Sequence, residues 1–166
     1  MSSMRLVRVA GLACICAAAL AGQDSGTRAR QWVDYYTSAY RVPPELVHAI
    51  VEIESGWRPD AMSPKGAVGL MQLRPATAAA FGVRDRYDVR QNIRGGVAYL
   101  AHLMRRFQGE LRLVAAAYFA GERRIAARRL RYSKPEVFHY VRRVGELYRS
   151  KRLGTRRTSN GSRGKR

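Results

Sequence analysis

The sequence predicts an all-α domain, and three observations carry that prediction. Apolar residues recur every three or four positions in one segment after another, as on amphipathic helices. Prolines open those segments and glycines close them. No stretch alternates apolar and polar residues as a half-buried strand would, and no internal repeat is present. Of the 166 residues 46% are apolar, enough for one domain with a core of moderate size.

The first 21 residues stand apart from that domain. Arg5 and Arg8 make a basic start, Val9 to Leu20 is an apolar run, and Ala19-Leu20-Ala21 offers an A-x-A cleavage site. The run is shorter than the roughly 20 apolar residues of a membrane span. A signal peptide over 1–21 is therefore expected, followed by a short polar leader over 22–29. The alternative, an N-terminal core helix, is weaker because nothing polar interrupts the run to make a face. Cys14 and Cys16 both lie inside it, so the mature chain would have no disulfide, thiolate metal site or cysteine nucleophile. Neither cysteine follows a lipid-anchor pattern, so an exported, soluble protein, periplasmic or secreted, is expected.

The domain proper is expected over 30–150. Arg28 to Tyr40 places Trp32, Tyr35, Tyr36 and Ala39 at helical spacing. Pro43-Pro44 opens a second helix that runs to about Ser55, with Leu46, Ile50 and Ile53 as its apolar stripe and Gly56 as its C-cap. Pro59, Pro64, Gly66 and Gly69 make the next segment an ordered loop. Pro75 starts a short helix that Gly82 ends. Val89 to Phe107 is a long amphipathic helix, in which Gly95-Gly96 predicts close contact with another backbone. Leu111 to Ala120 is apolar on nearly all sides, as a central helix should be. An arginine-rich helix follows Gly121 to about Arg131, and Pro135 opens the last helix, with Val137, Tyr140, Val141, Val144 and Leu147 in phase. The basic segment 151–166 is expected to be a disordered tail.

Lysine and arginine number 31 against 12 acids, a formal net charge of +19, or +17 once Arg5 and Arg8 leave with residues 1–21. Such a chain attracts polyanions. Export argues against nucleic acid and for anionic polymers of the cell envelope, although most of these charges read as solvated helix faces.

Two glutamates close the second helix, and periodicity separates them. Residues two apart on a helix face nearly opposite sides. Glu54 shares a face with Val47 and Ile50, whereas Glu52 lies near His48 on the wet side. Burial beside apolar groups and the negative end of a helix both favour the protonated form of a carboxyl, which a general acid needs. Glu54 is the candidate acid.

The run from Glu54-Ser55-Gly56-Trp57 through Gly66-Ala67-Val68-Gly69-Leu70-Met71-Gln72 to Pro75-Ala76-Thr77 closely resembles the signature of soluble lytic transglycosylases with a lysozyme-like SLT domain. Tyr87-Asp88, Asn92 to Leu100, Ala116 to Gly121 and Tyr140-Val141 resemble that family in the same order, so the likeness spans residues 30 to 150. The resemblance implies a single lysozyme-like helical domain. It implies cleavage of the bond between N-acetylmuramic acid and N-acetylglucosamine in peptidoglycan, where attack by the sugar's own C6 hydroxyl leaves a 1,6-anhydro end. It assigns Glu54 as the acid, Ser63 and Gln72 as polar residues lining the cleft, Tyr118 as the tyrosine beside the acid and Tyr140 as a second cleft tyrosine. It implies no metal and no cofactor, glycan strands as the partner, and a monomer.

That chemistry suits a chain with few acids. Ordinary glycosidases use two carboxylates, about 5 Å apart or farther with a water between. Near Glu54 in sequence only Glu52 and Asp60 are available. Glu52 points away and Asp60 reads as a turn residue, though it stays open as a second carboxylate. The chain also departs from the family, because Phe119 stands where Asn is usual and Arg74 where Met is frequent. Two alternatives therefore remain: a hydrolytic lysozyme of the same fold, and a non-catalytic peptidoglycan-binding module of a secretion or pilus apparatus. Trp57 reads as a core anchor, Ser55 as either a helix-end cap or an orienter of the acid, and His48, His102 and His139 as ordinary surface histidines.

Overall fold

The computed structural model describes residues 26–129, 131 and 134–161, with side chains as far as Thr155. The expected signal peptide, 1–21, lies outside the described residues. Seven α-helices follow one another among those residues: α1 over 26–40, α2 Pro44–Glu54, α3 Pro75–Ala80, α4 Val89–Arg106, α5 Leu111–Ala120, α6 Glu122–Arg128 and α7 Pro135–Gly161. The only β pairing among them is two isolated bridges, Met62 with Val68 and Val68 with Leu73, so the fold is all-α. No helix among the described residues is long and apolar enough to cross a membrane.

α5 is the hub. Its Leu113, Val114, Ala115, Ala116 and Ala117 are all buried, and the helix packs against α4, α6 and α7. Small alanines on this central helix let its neighbours approach closely, which is how seven helices share one core. α2 is the second buried element, with Leu46, Val47, Ala49, Ile50 and Val51 inside and α7 packed along it. Its end is abrupt. Ser55 leaves the helical conformation at φ −135°, and Gly56 follows in the left-handed region at φ 57°, where a side chain is disfavoured.

Several details differ from the sequence reading. α1 begins at residue 26, so the last four residues of the expected leader are helical and Ala29 is in the core. Its buried face is Ala29, Val33 and Tyr36, the positions one and two turns apart, and Tyr35 is exposed. The aromatic residues instead stack along the helix, with the Trp32 and Tyr36 rings 5.9 Å apart. Gly95 and Gly96 do admit a close neighbour, but it is side chains. A β-carbon on Gly96 would lie 2.8 Å from that of Met71, and one on Gly95 would run into Val83. Met71 and Leu73 of the α2–α3 loop, with Val83 from beyond α3, fill the groove the two glycines leave. The arginine-rich helix ends at Arg128, three residues sooner than expected. α7 continues to Gly161 through the segment expected as a disordered tail, helped by Arg152 donating to the Tyr148 hydroxyl at 3.0 Å and by Lys151 lying 4.0 Å from Glu52.

Candidate active site

The loop from Ser55 to Arg74 forms one wall of a cleft of about 430 Å³, and its shape is imposed by polar side chains from beneath. The Ser55 hydroxyl donates to Val51 O at 3.1 Å and to Leu70 O at 2.9 Å, tying the loop back to α2. Asn92, 1% exposed on the core side of α4, accepts from the Met71 N–H at 2.8 Å and donates to Val68 O and Arg86 O. Arg86 donates in turn to Gly66 O and Leu73 O. Gly69 lies above this network at φ 82°, and a β-carbon there would sit 2.6 Å from the Arg86 carbonyl oxygen, so both conformation and space demand glycine.

Across the cleft stand the C-terminal end of α5, α6 and the start of α7. The Glu54 side chain lies between the two walls, at the end of α2. Its Oε1 accepts a 2.6 Å hydrogen bond from the Tyr140 hydroxyl, joining α2 to α7 across 86 positions. Burial pushes the Glu54 carboxyl up to about 7, against which the tyrosine bond pulls only weakly. The carboxyl can thus hold a proton at neutral pH and release it without strong cost. Glu52 is on the other side of the helix, exposed, accepting from the Trp57 indole N–H at 3.1 Å. Periodicity thus separates the two acids as expected.

Of the expected cleft residues, Tyr140 is not among those lining the cleft and meets the site through its bond to Glu54, whereas Ser63, Gln72 and Tyr118 line the cleft. Ser63 lines it, with its hydroxyl accepting from the Ala67 N–H at 3.1 Å. Gln72 lines it from a left-handed backbone at φ 47°, and its amide donates to Ala61 O and Gly69 O. A non-glycine residue held there by its own side chain is local strain of the kind found at binding sites. Tyr118 lines the cleft from α5 and donates to Met71 O at 2.7 Å, bridging the two walls behind Glu54. Burial and the nearby Glu54 charge push the Tyr118 and Tyr140 hydroxyls well above the ordinary tyrosine range, so both keep the proton they donate. Asp60 is exposed and is not among the residues lining the cleft. Trp57 packs at the edge of the core and not in the cleft, beneath the Arg30 guanidinium at 4.1 Å.

Three features escaped the sequence reading. Glu136 lines the cleft from the exposed first turn of α7; it lies one turn before Tyr140, a spacing that would have revealed it. Asn92 interrupts an apolar helix face, the usual sign of a buried polar anchor. Finally, Lys65 joins Arg74, Arg124 and Lys134 at the cleft, giving it a basic rim.

The family model for the transglycosylase SLT domain matches residues 31–140, and this chain belongs to that family. The transglycosylase of Enterobacteria phage PRD1 is 42% identical over 96 residues, which are 56% of this chain and 36% of that protein. The membrane-bound lytic murein transglycosylase F of Yersinia enterocolitica is 51% identical over 61 residues, 37% of this chain and 13% of that protein. This chain thus spans about a third or less of the length of these curated relatives. Among solved structures, the lytic transglycosylase Slt of Pseudomonas aeruginosa, studied as an inactive glutamate-to-glutamine mutant, superposes with a TM-score of 0.64. It is 27% identical, and the match covers 72% of this chain and 23% of that one.

Proposed function

We propose that this chain is a peptidoglycan lytic transglycosylase in which Glu54 is first acid and then base. In the first step the Glu54 carboxyl gives its proton to the glycosidic oxygen between N-acetylmuramic acid and N-acetylglucosamine, and the bond from that oxygen to C1 breaks. The C6 hydroxyl of the muramoyl residue then attacks C1. Its proton passes to the Glu54 carboxylate, which regenerates the acid and leaves a 1,6-anhydro end. No water is consumed. Ser63 and Gln72 line the sugar path, Tyr118 ties the two walls together, and Tyr140 holds the acid in place.

The observation that carries this reading is the buried carboxyl of Glu54, raised to about 7 and bonded to one tyrosine. A group that must donate and then accept a proton works best near the ambient pH. The names of the relatives, lytic murein transglycosylase among them, and the inactive glutamate-to-glutamine mutant of the Pseudomonas protein support it further. Digestion of purified sacculi followed by mass spectrometry is the test. Anhydromuropeptides are expected, and they should disappear with Glu54→Gln; a Glu54→Gln protein of undiminished activity would sink the assignment.

A hydrolytic reading draws on one observation, the presence of Glu136 in the same cleft, since a second carboxylate could activate water. Glu136 is exposed at the rim of the cleft. Reducing ends in place of anhydro ends, lost with Glu136→Gln, would favour hydrolysis.

The setting we infer is the cell envelope, from the export signal expected over 1–21. There the basic surface would keep the enzyme on an anionic, immobile substrate. Cleavage of sacculi should accordingly weaken as salt rises toward 0.5 M, well past the point where the screening length falls below about 8 Å.

A further inference from the structure

We propose that Phe119 is a positioning residue of this site: its ring holds Tyr140 against Glu54 and keeps water from the bond between them. The proposal rests on reading Glu54 as the acid, and it concerns the one position where the chain replaces the usual Asn of its family in the Ala117-Tyr118-Phe119-Ala120-Gly121 run.

Phe119 lies on the last turn of α5 with 47% of its surface exposed, lining the cleft. A phenyl ring left half in water forgoes burial worth about 1–2 kcal/mol, so its placement calls for a reason. One face of the ring is stacked on Tyr140, with centroids 4.7 Å apart and planes 23° apart. The Tyr140 hydroxyl in turn reaches Glu54 at 2.6 Å. Tyr140 itself is 6% exposed, and the cleft-lining Phe119 ring covers one of its faces. No other aromatic ring stacks on Tyr140 among the described residues. An Asn side chain offers no such face.

The other titratable and charged groups of the cleft come from several elements, Tyr99 on α4 among them, and Phe119→Leu leaves their identities unchanged. From α5 there is Tyr118, bound to Met71 O. From α7 come Glu136 and Lys134 just before it, from α6 Arg124, and from the loop wall Lys65 and Arg74. A change in the proton affinity of Glu54 after substitution of Phe119 therefore reports the ring.

Two influences oppose one another at Glu54: burial raises its proton affinity and the Tyr140 bond lowers it, with burial the larger. Loss of the ring admits water and weakens both, so the net change follows burial, downward. In a carboxyl-selective NMR titration without substrate, Phe119→Leu should lower the Glu54 midpoint by about one pH unit. Phe119→Tyr should restore it. Tyr140→Phe, which removes the bond and keeps the rings, should move it upward. On sacculi, Phe119→Leu should cut kcat about tenfold with KM changed less than twofold, and its alkaline limb should move with the NMR midpoint. An unchanged midpoint in a folded Phe119→Leu protein overturns the proposal. A rise in KM alone overturns it too, because the ring would then be a sugar platform. The NMR titration needs no turnover, so an active Glu54→Gln protein would remove the assignment of the acid without touching this result.

Discussion

On one side of the cleft the α2–α3 loop is held by hydrogen bonds to its backbone; on the other, where α5 meets α7, side chains are held by ring contacts and burial. The loop wall spends Ser55, Asn92, Arg86 and Gln72 on main-chain atoms, every one with a defined partner. The helical wall has the Phe119–Tyr140 stack, the Tyr118 hydroxyl that reaches across to Met71 O, and the Tyr140 hydroxyl on the carboxyl that would do the chemistry. Hydrogen bonds to a loop fix where its atoms are, while an apolar wall sets the polarity that a carboxyl feels. The cleft therefore has a wall for shape and a wall for acidity, and substitutions should sort accordingly.

The largest effect on the shape wall should come from Asn92→Ala. It strands the Met71 N–H and leaves the Arg86 carbonyl without this donor, while Val68 O keeps the Leu73 N–H, and about 3–4 kcal/mol of stability should be lost in denaturant unfolding, with Glu54 titration in any folded remainder little changed. The acidity wall answers next. The folded value of Glu54, about 7, stands above its ordinary 4.5, so the ionised form opposes folding. Its cost is absent below pH 4.5, grows between 4.5 and 7, and is constant above 7. Glu54→Gln should therefore stabilise the protein by about 3 kcal/mol at pH 8 and by nothing at pH 4, read from paired melting curves. With Glu54 as the proposed acid, the same ionisation should make kcat/KM fall about tenfold per unit above pH 7.

Ser55→Ala should cost about 1–2 kcal/mol, because Leu70 O loses its donor while Val51 O keeps the Ser55 N–H. The smallest change should be Arg142→Ala, which removes an exposed pair with Glu146 at 3.8 Å; under about 0.5 kcal/mol is expected, at the limit of denaturant titration. Should Asn92→Ala move the Glu54 midpoint as far as Phe119→Leu does, the division between the walls would fail.

The sequence is legible where a local rule governs. Helical period separates Glu54 from Glu52, and proline and glycine punctuation marks α2 and α3 within a residue or so. What lay hidden depends on partners distant in the chain. The Tyr140–Glu54 bond joins positions 86 apart, and Asn92 meets Met71 from 21 positions away. A periodicity argument could place each on a face without saying what faced it. Phe119 reads as an anomaly within its motif, and only the stack on Tyr140 gives it a use. The tail misled because composition dominates that reading, whereas a helix already packed along α2 can extend with little new cost, since propagation adds one bond per residue fixed.

The position of α7 has a consequence for the order in which the site is assembled. Glu54 emerges early in synthesis, but the tyrosine and much of the apolar cover that make it a neutral-range acid emerge some eighty residues later. Without that helix the Glu54 carboxyl should lose its Tyr140 bond and part of its burial, and should no longer hold its proton near neutral pH. On the proposed reading, the final helix would be the part that completes the acid. Chains ended before Pro135 should titrate at Glu54 near the ordinary carboxyl value and release no muropeptides.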